Sequence, residues 1–279
     1  MSRYNRLHLL ITGAASGIGR AACDKFLAEG HRVYAVDVKP TEEREGVVSL
    51  IADVTSEEDV RGISDRLSAE GVTLDAILCI AGVHAMASLV EEDFSGMERL
   101  MDVNLLGTMR IVRELHPMLS AHGRIVIVTS EVASLAPMPF NGLYSVSKTA
   151  LDCYAQALRQ ELNLIGQSVV TVRPGAVSTP LADGSVRAVA ELAERTQLYR
   201  GQAERFSSIA AKFMGTPIKV EALGNLLYKA TVTARPRAVY SKHRNPGLVL
   251  LSLLPLKLQC LVIKLILGKS RKIEKDGRK

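Results

Sequence analysis

The sequence predicts a doubly wound α/β fold with a mostly parallel sheet. Three observations predict it. Short apolar runs alternate with stretches of helical spacing. The first apolar run ends in a glycine-rich loop that opens a helix. No Pro/Gly/Ser-rich linker and no internal repeat divides the chain before about residue 235. Strands that alternate with helices pair in parallel, and the crossover helices then cover both faces of the sheet. A chain of 279 residues that is 47% hydrophobic can bury one large core. The same composition excludes a disordered, collagenous or disulfide-stapled chain.

Residues 7–12 (LHLLIT) form an apolar run that stops at Gly13, the pattern of a buried strand. From Ile18 to Glu29 apolar and small residues recur at helical spacing, and Gly30 ends them. The run 32–36 (RVYAV) is the second strand and leads to Asp37. Further strands are expected at 47–51, 74–80, 124–129 and 168–173, with helices at 56–69, 94–119 and 145–165 between them. The stretch 182–215 is rich in Ala, Arg and Glu, has helical spacing and shows no strand. It reads as an excursion off the sheet, where a lid over a site is commonly built.

Charge divides the chain differently. The net charge is +6, yet residues 1–234 sum to −4 and residues 235–279 to +10. A mildly acidic body carries a basic extension, which does not imply a nucleic-acid partner. Cys23, Cys79, Cys153 and Cys260 are far apart with no C-x-x-C pair, so neither a disulfide framework nor a metal site is expected. The N-terminus has no signal-peptide pattern. These features together suggest a cytoplasmic location.

The loop Thr12-Gly13-Ala14-Ala15-Ser16-Gly17-Ile18-Gly19 follows a strand and opens a helix. Glycines there permit a tight turn and close backbone approach, and a helix N-terminus favours a pyrophosphate. Gly13, Ser16, Gly17, Ile18 and Gly19 are therefore candidate dinucleotide contacts. Asp37 ends the second strand, about 18 residues past Gly19. A carboxylate there can bind both ribose hydroxyls and repels a 2′-phosphate, so NAD(H) is the expected cofactor. Lys39 stands close by and keeps NADP(H) open.

The spacing Thr12-Gly13-x3-Gly17-x-Gly19 resembles the classical short-chain dehydrogenase/reductase family, and the likeness extends over about residues 7–180. Tyr144-Ser145-Val146-Ser147-Lys148 is similar to its Y-x-x-x-K, and Asn104 stands where the family has its active-site Asn. Gly123-Arg124-Ile125-Val126-Ile127-Val128-Thr129-Ser130 resembles the strand that ends in the family's Ser. Arg173-Pro174-Gly175-Ala176-Val177-x-Thr179-Pro180 resembles the segment that lines the nicotinamide. Taken alone, a Y-x-x-x-K is commonly a helix-surface pair. The order of all these motifs makes the match specific.

The resemblance implies a Rossmann-type domain over 1–234, an extension over 235–279, and an oxidoreductase that interconverts an alcohol and a ketone or aldehyde. It implies Tyr144 as acid/base, Lys148 as the group that lowers its pKa and anchors the ribose, and Ser130 as the substrate positioner. Asn104 would hold a proton-relay water. Further cofactor contacts implied are Asp53, Val54, Ala81, Gly82, Pro174, Gly175, Val177 and Thr179. The chemistry suits these residue types. A Tyr of ordinary pKa near 10 is a poor base at neutral pH. A Lys four residues on lies on the same helix face and can stabilise its phenolate. A Ser hydroxyl can hold the substrate oxygen. No metal is implied.

Two features depart from the pattern. The family's N-N-A-G is Cys79-Ile80-Ala81-Gly82 here. The gap from Ser130 to Tyr144 is 14 residues where about 13 is usual, and counting back 13 lands on Glu131. The strand register favours Ser130, because loops accept insertions.

Pro139-Phe140-Asn141 and the segment Pro236-Arg237-x2-Tyr240 resemble the hydroxysteroid and retinol dehydrogenase branch, which implies a lipophilic substrate. Residues 247–268 are strongly apolar, but Pro255, Lys257 and Lys264 interrupt them, so they make a poor membrane span. With Arg271, Lys272 and Lys275 beyond, 247–279 suits peripheral contact with anionic lipid; core packing, pocket cover and a subunit contact are its other readings. The family habit implies a homodimer or homotetramer through the helices near 94–119 and 145–165. Two rival functions are an NADPH-dependent acyl or small-carbonyl reductase and a non-catalytic dinucleotide-binding membrane scaffold.

Overall fold

The computed structural model describes residues 6–213 and 217–268, and for 180–187 and 210–213 the backbone alone. Seven strands form one sheet: β1 (His8–Thr12), β2 (Arg32–Asp37), β3 (Val47–Ile51), β4 (Leu74–Cys79), β5 (Leu119–Val128), β6 (Ser168–Pro174) and β7 (Val239–Lys242). Their order is β3-β2-β1-β4-β5-β6-β7, and every pairing is parallel. The predicted fold class holds, and the sheet is wholly rather than mostly parallel.

The helices are α1 (Gly17–Ala28), α2 (Glu57–Ala69), α3 (Phe94–Met101), α4 (Gly107–Leu115), α5 (Gly142–Asn163), α6 (Pro180–Arg195), α7 (Arg200–Phe213), α8 (Val220–Val232), α9 (Pro246–Ser252) and α10 (Leu256–Leu267). Side chains alternate between sheet faces, as the pleat dictates. Leu10, Tyr34, Ile77 and Ile125 bury one face under α2, α4 and α5. Leu9, Ile11, Leu78 and Val126 bury the other under α1 and α8. Strand order reverses between β1 and β4, which opens a crevice at the strands' carboxyl ends.

The structure differs from the sequence reading in five elements. The expected helix 94–119 is broken into α3, a π-turn at Asp102–Leu106, α4 and a 3-10 turn at His116–Met118. Pro117 lacks the N–H that a continued α-helix needs. β5 starts at Leu119 rather than 124, and its register with β4 shifts between Leu74 and Ala76. α5 starts at Gly142, which places Tyr144 in its first turn. The sequence reading had no counterpart for α8 or β7. β7 is four residues long inside the basic extension, yet it pairs with β6 as the edge of the sheet.

Candidate active site

The crevice is built first at β1. Gly13 has φ 69°, and a Cβ there would lie 3.0 Å from the Ala81 backbone across the switch point. Gly17 has φ 51°. A Cβ at Gly19 would lie 1.9 Å from the Gly13 carbonyl oxygen, so only glycine lets α1 start under the loop. Ser16 is the N-cap of α1, and its hydroxyl makes no capping bond. Ile18 turns away and packs on the core. The Thr12 hydroxyl accepts from the Ile80 and Ala81 N–H groups at 3.0 and 3.1 Å. Those bonds tie β1 to β4 where the two Asn of the N-N-A-G pattern are missing, while Cys79 is simply core.

Asp37 stands at the loop. Its carboxylate accepts from Ala15 N at 3.0 Å and from Lys39 N at 3.1 Å. Arg20 and Arg44 line a cavity of about 120 Å³ beside the loop, but Arg20 pairs with Glu42 at 3.4 Å and Arg44 pairs with Asp24. Asp53 lies farther along, with Oδ1 accepting from the N–H and hydroxyl of Thr55 at 2.9 and 2.8 Å. Val54 is buried against Gly107, so its side chain serves the core. The glycine cradle, the unbonded N-cap hydroxyl and the strand-end carboxylate together fit a dinucleotide with unphosphorylated ribose.

Ser130, Tyr144, Lys148 and Asn104 meet at the ends of β4 and β5. Tyr144 and Lys148 share one face of α5, with the Lys148 ammonium 5.8 Å from the phenol centroid and 3.4 Å from the Val128 carbonyl oxygen. The Ser130 side chain stands beside the Tyr144 hydroxyl, and its own Oγ accepts from Val132 N at 3.4 Å. Burial pushes the Tyr144 phenol up to about 12, against which the neighbouring Ser130 hydroxyl pulls down. Burial brings the Lys148 ammonium down to about 8. The phenol thus shifts opposite to the sequence expectation, because desolvation outweighs the pull of the Ser130 hydroxyl.

Asn104 is fully buried in the π-turn, a form that recurs at functional sites. Its side chain accepts from Val83 N at 2.8 Å and donates to Val83 O at 2.9 Å and Ser147 Oγ at 3.1 Å. A Cβ at Gly82 would lie 3.1 Å from Asn104 Oδ1 and 3.3 Å from Lys148 Nζ. Gly82 is therefore the spacer between those two side chains.

The segment after β6 closes the site. Arg173 forms a two-pronged pair with Asp152 of α5 at 2.8 and 2.5 Å. Pro174 is buried, Gly175 N donates to Lys242 O at 2.8 Å, and a Cβ at Gly175 would lie 1.8 Å from the His243 carbonyl oxygen. Val177 bridges Ile218 and packs in the core, and Thr179 is buried.

The sequence reading missed His84 altogether and the contact that Glu131 makes. His84 hydrogen-bonds Asn141 Oδ1 through Nε2 at 3.0 Å, and its ring packs 4.5 Å from the Tyr144 ring. Burial holds its pKa below the usual imidazole range. The second is Glu131. The structure brings Ser130 rather than Glu131 to Tyr144; the buried Glu131 carboxylate instead accepts from Asn245 N at 2.6 Å, at the start of α9. Sequence spacing gave no signal for either, since both contacts join distant segments.

Among curated proteins, the chain is 32% identical over 178 residues to a 1-hydroxy-2-glutathionyl-2-methyl-3-butene dehydrogenase of a Rhodococcus species, covering 62% of this chain and 79% of that protein. It is 27% identical over 230 residues to a 3-ketodihydrosphingosine reductase of Bacteroides thetaiotaomicron, covering 82% and 84%. Among solved structures, a Burkholderia phymatum short chain dehydrogenase/reductase in complex with NAD superposes with a TM-score of 0.73 at 22% identity, covering 95% of this chain and 96% of that one. The short chain dehydrogenase model matches residues 7–189. A parallel seven-stranded sheet with a glycine crevice, and a Ser–Tyr–Lys group at the strand ends beside it, thus recur in a chain that belongs to the short-chain dehydrogenase family, as an oxidoreductase acting on CH–OH groups.

Proposed function

We propose that this protein interconverts an alcohol and a ketone or aldehyde on a lipophilic substrate, with NAD(H) as the preferred cofactor. The observation that carries the reading is Tyr144 with Ser130 beside its hydroxyl and Lys148 on the same helix face, next to the buried Asn104 and Gly82.

When bound, a nicotinamide supplies or accepts the hydride. The chain's own residues handle the proton. Tyr144 carries its proton at neutral pH, so it is available to donate to a carbonyl oxygen as that oxygen gains charge. In the reverse direction the same oxygen takes the alcohol proton. Ser130 orients the substrate oxygen toward Tyr144. Lys148 stabilises the phenolate when it forms, and Asn104 fixes the backbone at Val83 beside them. Glycines 13, 17 and 19 with Ser16 and Ile18 cradle the pyrophosphate, and Asp37 takes the ribose hydroxyls. Asp53, Val54, Ala81 and Gly82 face the adenosine half, while Pro174, Gly175, Val177 and Thr179 line the nicotinamide half. With Arg20 and Arg44 already paired to acids, a 2′-phosphate would meet the Asp37 carboxylate, which favours NAD(H) over NADP(H).

Three features support a lipophilic substrate. Met86, Met138 and Phe140 lie on the loops between Tyr144 and the lid helices α6 and α7, where they pack with Val189, Leu192 and Phe206. The hydroxysteroid- and retinol-like features of the sequence point the same way. One relative reduces a sphingoid ketone, as its name states. No helix among the described residues is long and apolar enough to cross a membrane. Exposed leucines on α9 and α10 with Lys257 and Lys264 support peripheral contact with anionic lipid. Exposed Leu106 of the π-turn, Met109 of α4 and Val146 of α5 support a subunit contact there.

The test is turnover with NAD(H) and NADP(H), across hydroxysteroids, retinol and long-chain alcohols with their carbonyl forms, against short polar alcohols. Preference for an apolar class with NAD(H) is expected. Preference for short polar substrates, or for NADPH, contradicts the reading.

A further inference from the structure

The C-terminal helices touch both the loop that follows Ser130 and helix α7. On one side, Glu131, next to Ser130, holds Asn245 N at 2.6 Å, and Ser252 Oγ of α9 accepts from Ala136 N at 2.7 Å. The loop that follows Ser130 is thus fastened to α9. On the other side, Ile263 and Leu267 of α10 join the apolar cluster of Ala203 and Phe206 on α7. Arg205 donates to the Leu267 carbonyl oxygen at 3.2 Å. Within that cluster Phe140 meets Tyr199 and Phe206 edge-on, with ring centroids 5.7 Å apart in each pair. The α9–α10 unit therefore joins the Ser130 loop to the lid.

Its opposite surface is open. Leu250, Leu253, Leu256, Leu258, Leu261 and Leu265 are exposed, by 45–76%. Six exposed leucines in sixteen positions are a patch rather than scatter. Lys257 and Lys264 are exposed among them, and residues 235–268 contain no carboxylate side chain. Apolar side chains interleaved with cations, without acids, match the boundary of an anionic bilayer. Twelve residues of α10 reach only about 18 Å, too short to span.

We infer that this face docks on an anionic lipid surface and transmits that contact to the lid, so that lipid engagement loosens α7 against Phe140 and admits an apolar substrate from the bilayer side. The inference rests on the peripheral-membrane reading above and adds the coupling between lipid contact and the lid.

The full chain is mixed with phosphatidylcholine vesicles that contain phosphatidylglycerol, and with phosphatidylcholine vesicles alone. Flotation reports binding, and amide hydrogen exchange reports α7 and residues 136–141. Binding to the anionic vesicles, about tenfold or more stronger than to neutral ones, is expected, with faster exchange in both segments and none in β1 and β2. The triple variant Leu258→Ser, Leu261→Ser, Leu265→Ser should lose both effects while keeping its melting temperature. The variant Arg205→Ala with Leu267→Ala should still float but lose the exchange response of α7. Flotation without faster exchange in α7 and 136–141 overturns the coupling and leaves the membrane reading standing. Absence of flotation overturns both. A wild-type dimer in sedimentation that the triple variant abolishes gives the face to a second copy and overturns the inference.

Discussion

The imidazole of His84 packs 4.5 Å from the phenol ring of Tyr144 while its Nε2 bonds Asn141, the residue that opens α5. One side chain from the loop after β4 thus fixes both the start of the helix that carries Tyr144 and the ring itself. His84→Phe keeps an aromatic ring but leaves the half-buried Asn141 Oδ1 without this partner. A stability loss of about 1 kcal/mol is expected, read from the denaturation midpoint. Turnover should fall by about tenfold with little change in the KM for cofactor, because the loss lies in aligning Tyr144. An unchanged turnover number would show that the phenol is held by α5 alone.

Asp37 governs cofactor choice through one carboxylate bonded to the loop at Ala15. Asp37→Ser removes the negative charge that a 2′-phosphate would meet. The ratio of kcat/KM for NAD to that for NADP should fall by at least about tenfold, or roughly 1.4 kcal/mol. Steady-state kinetics with both cofactors check this. A ratio that does not move places the selectivity elsewhere.

Lys148 sets a pH signature of stability. The unfolded chain keeps this proton up to about 10.5, the folded chain only up to about 8. Between those values the unfolded state binds more protons, so folding stability rises with pH. Below pH 8 the buried ammonium costs about 3 kcal/mol by the same linkage. Lys148→Met should therefore be more stable than wild type at pH 7, with the gap narrowing as pH rises toward 9.5. Chemical denaturation at several pH values reports it, and parallel curves for the two proteins would be inconsistent with a buried ammonium.

Much of the fold was legible because local signals agree. β1, α1 and β2 carry apolar runs, a glycine turn and a strand-end acid in one short stretch, and each falls within a residue or so of its expected place. Gly13 and Gly19 are fixed by steric contact with the chain itself and Gly17 by its positive φ, so their spacing carries meaning in one dimension. Asn104 was legible as a residue but not as a geometry. The π-turn that buries it adds a residue within a continuous helical pattern, which periodicity does not show. The contacts of Glu131 with Asn245 and of His84 with Asn141 span 114 and 57 residues, so tertiary packing alone creates them. β7 is too short, and its surroundings too basic, to stand out before β6 is there to pair with it. Arg271, Lys272 and Lys275 lie outside the described residues.

Tyr144→Phe tests the central claim most directly. The phenol's hydroxyl is the one atom removed, the ring stays in its place against His84, and the cofactor crevice is untouched. Turnover of the best apolar substrate is followed at the nicotinamide absorbance beside wild type, with cofactor affinity measured by titration. The account predicts a loss of about 10²–10⁴-fold in kcat, with cofactor affinity and melting temperature nearly unchanged. Turnover in the variant equal to wild type would show that another group moves the proton, and would contradict the account.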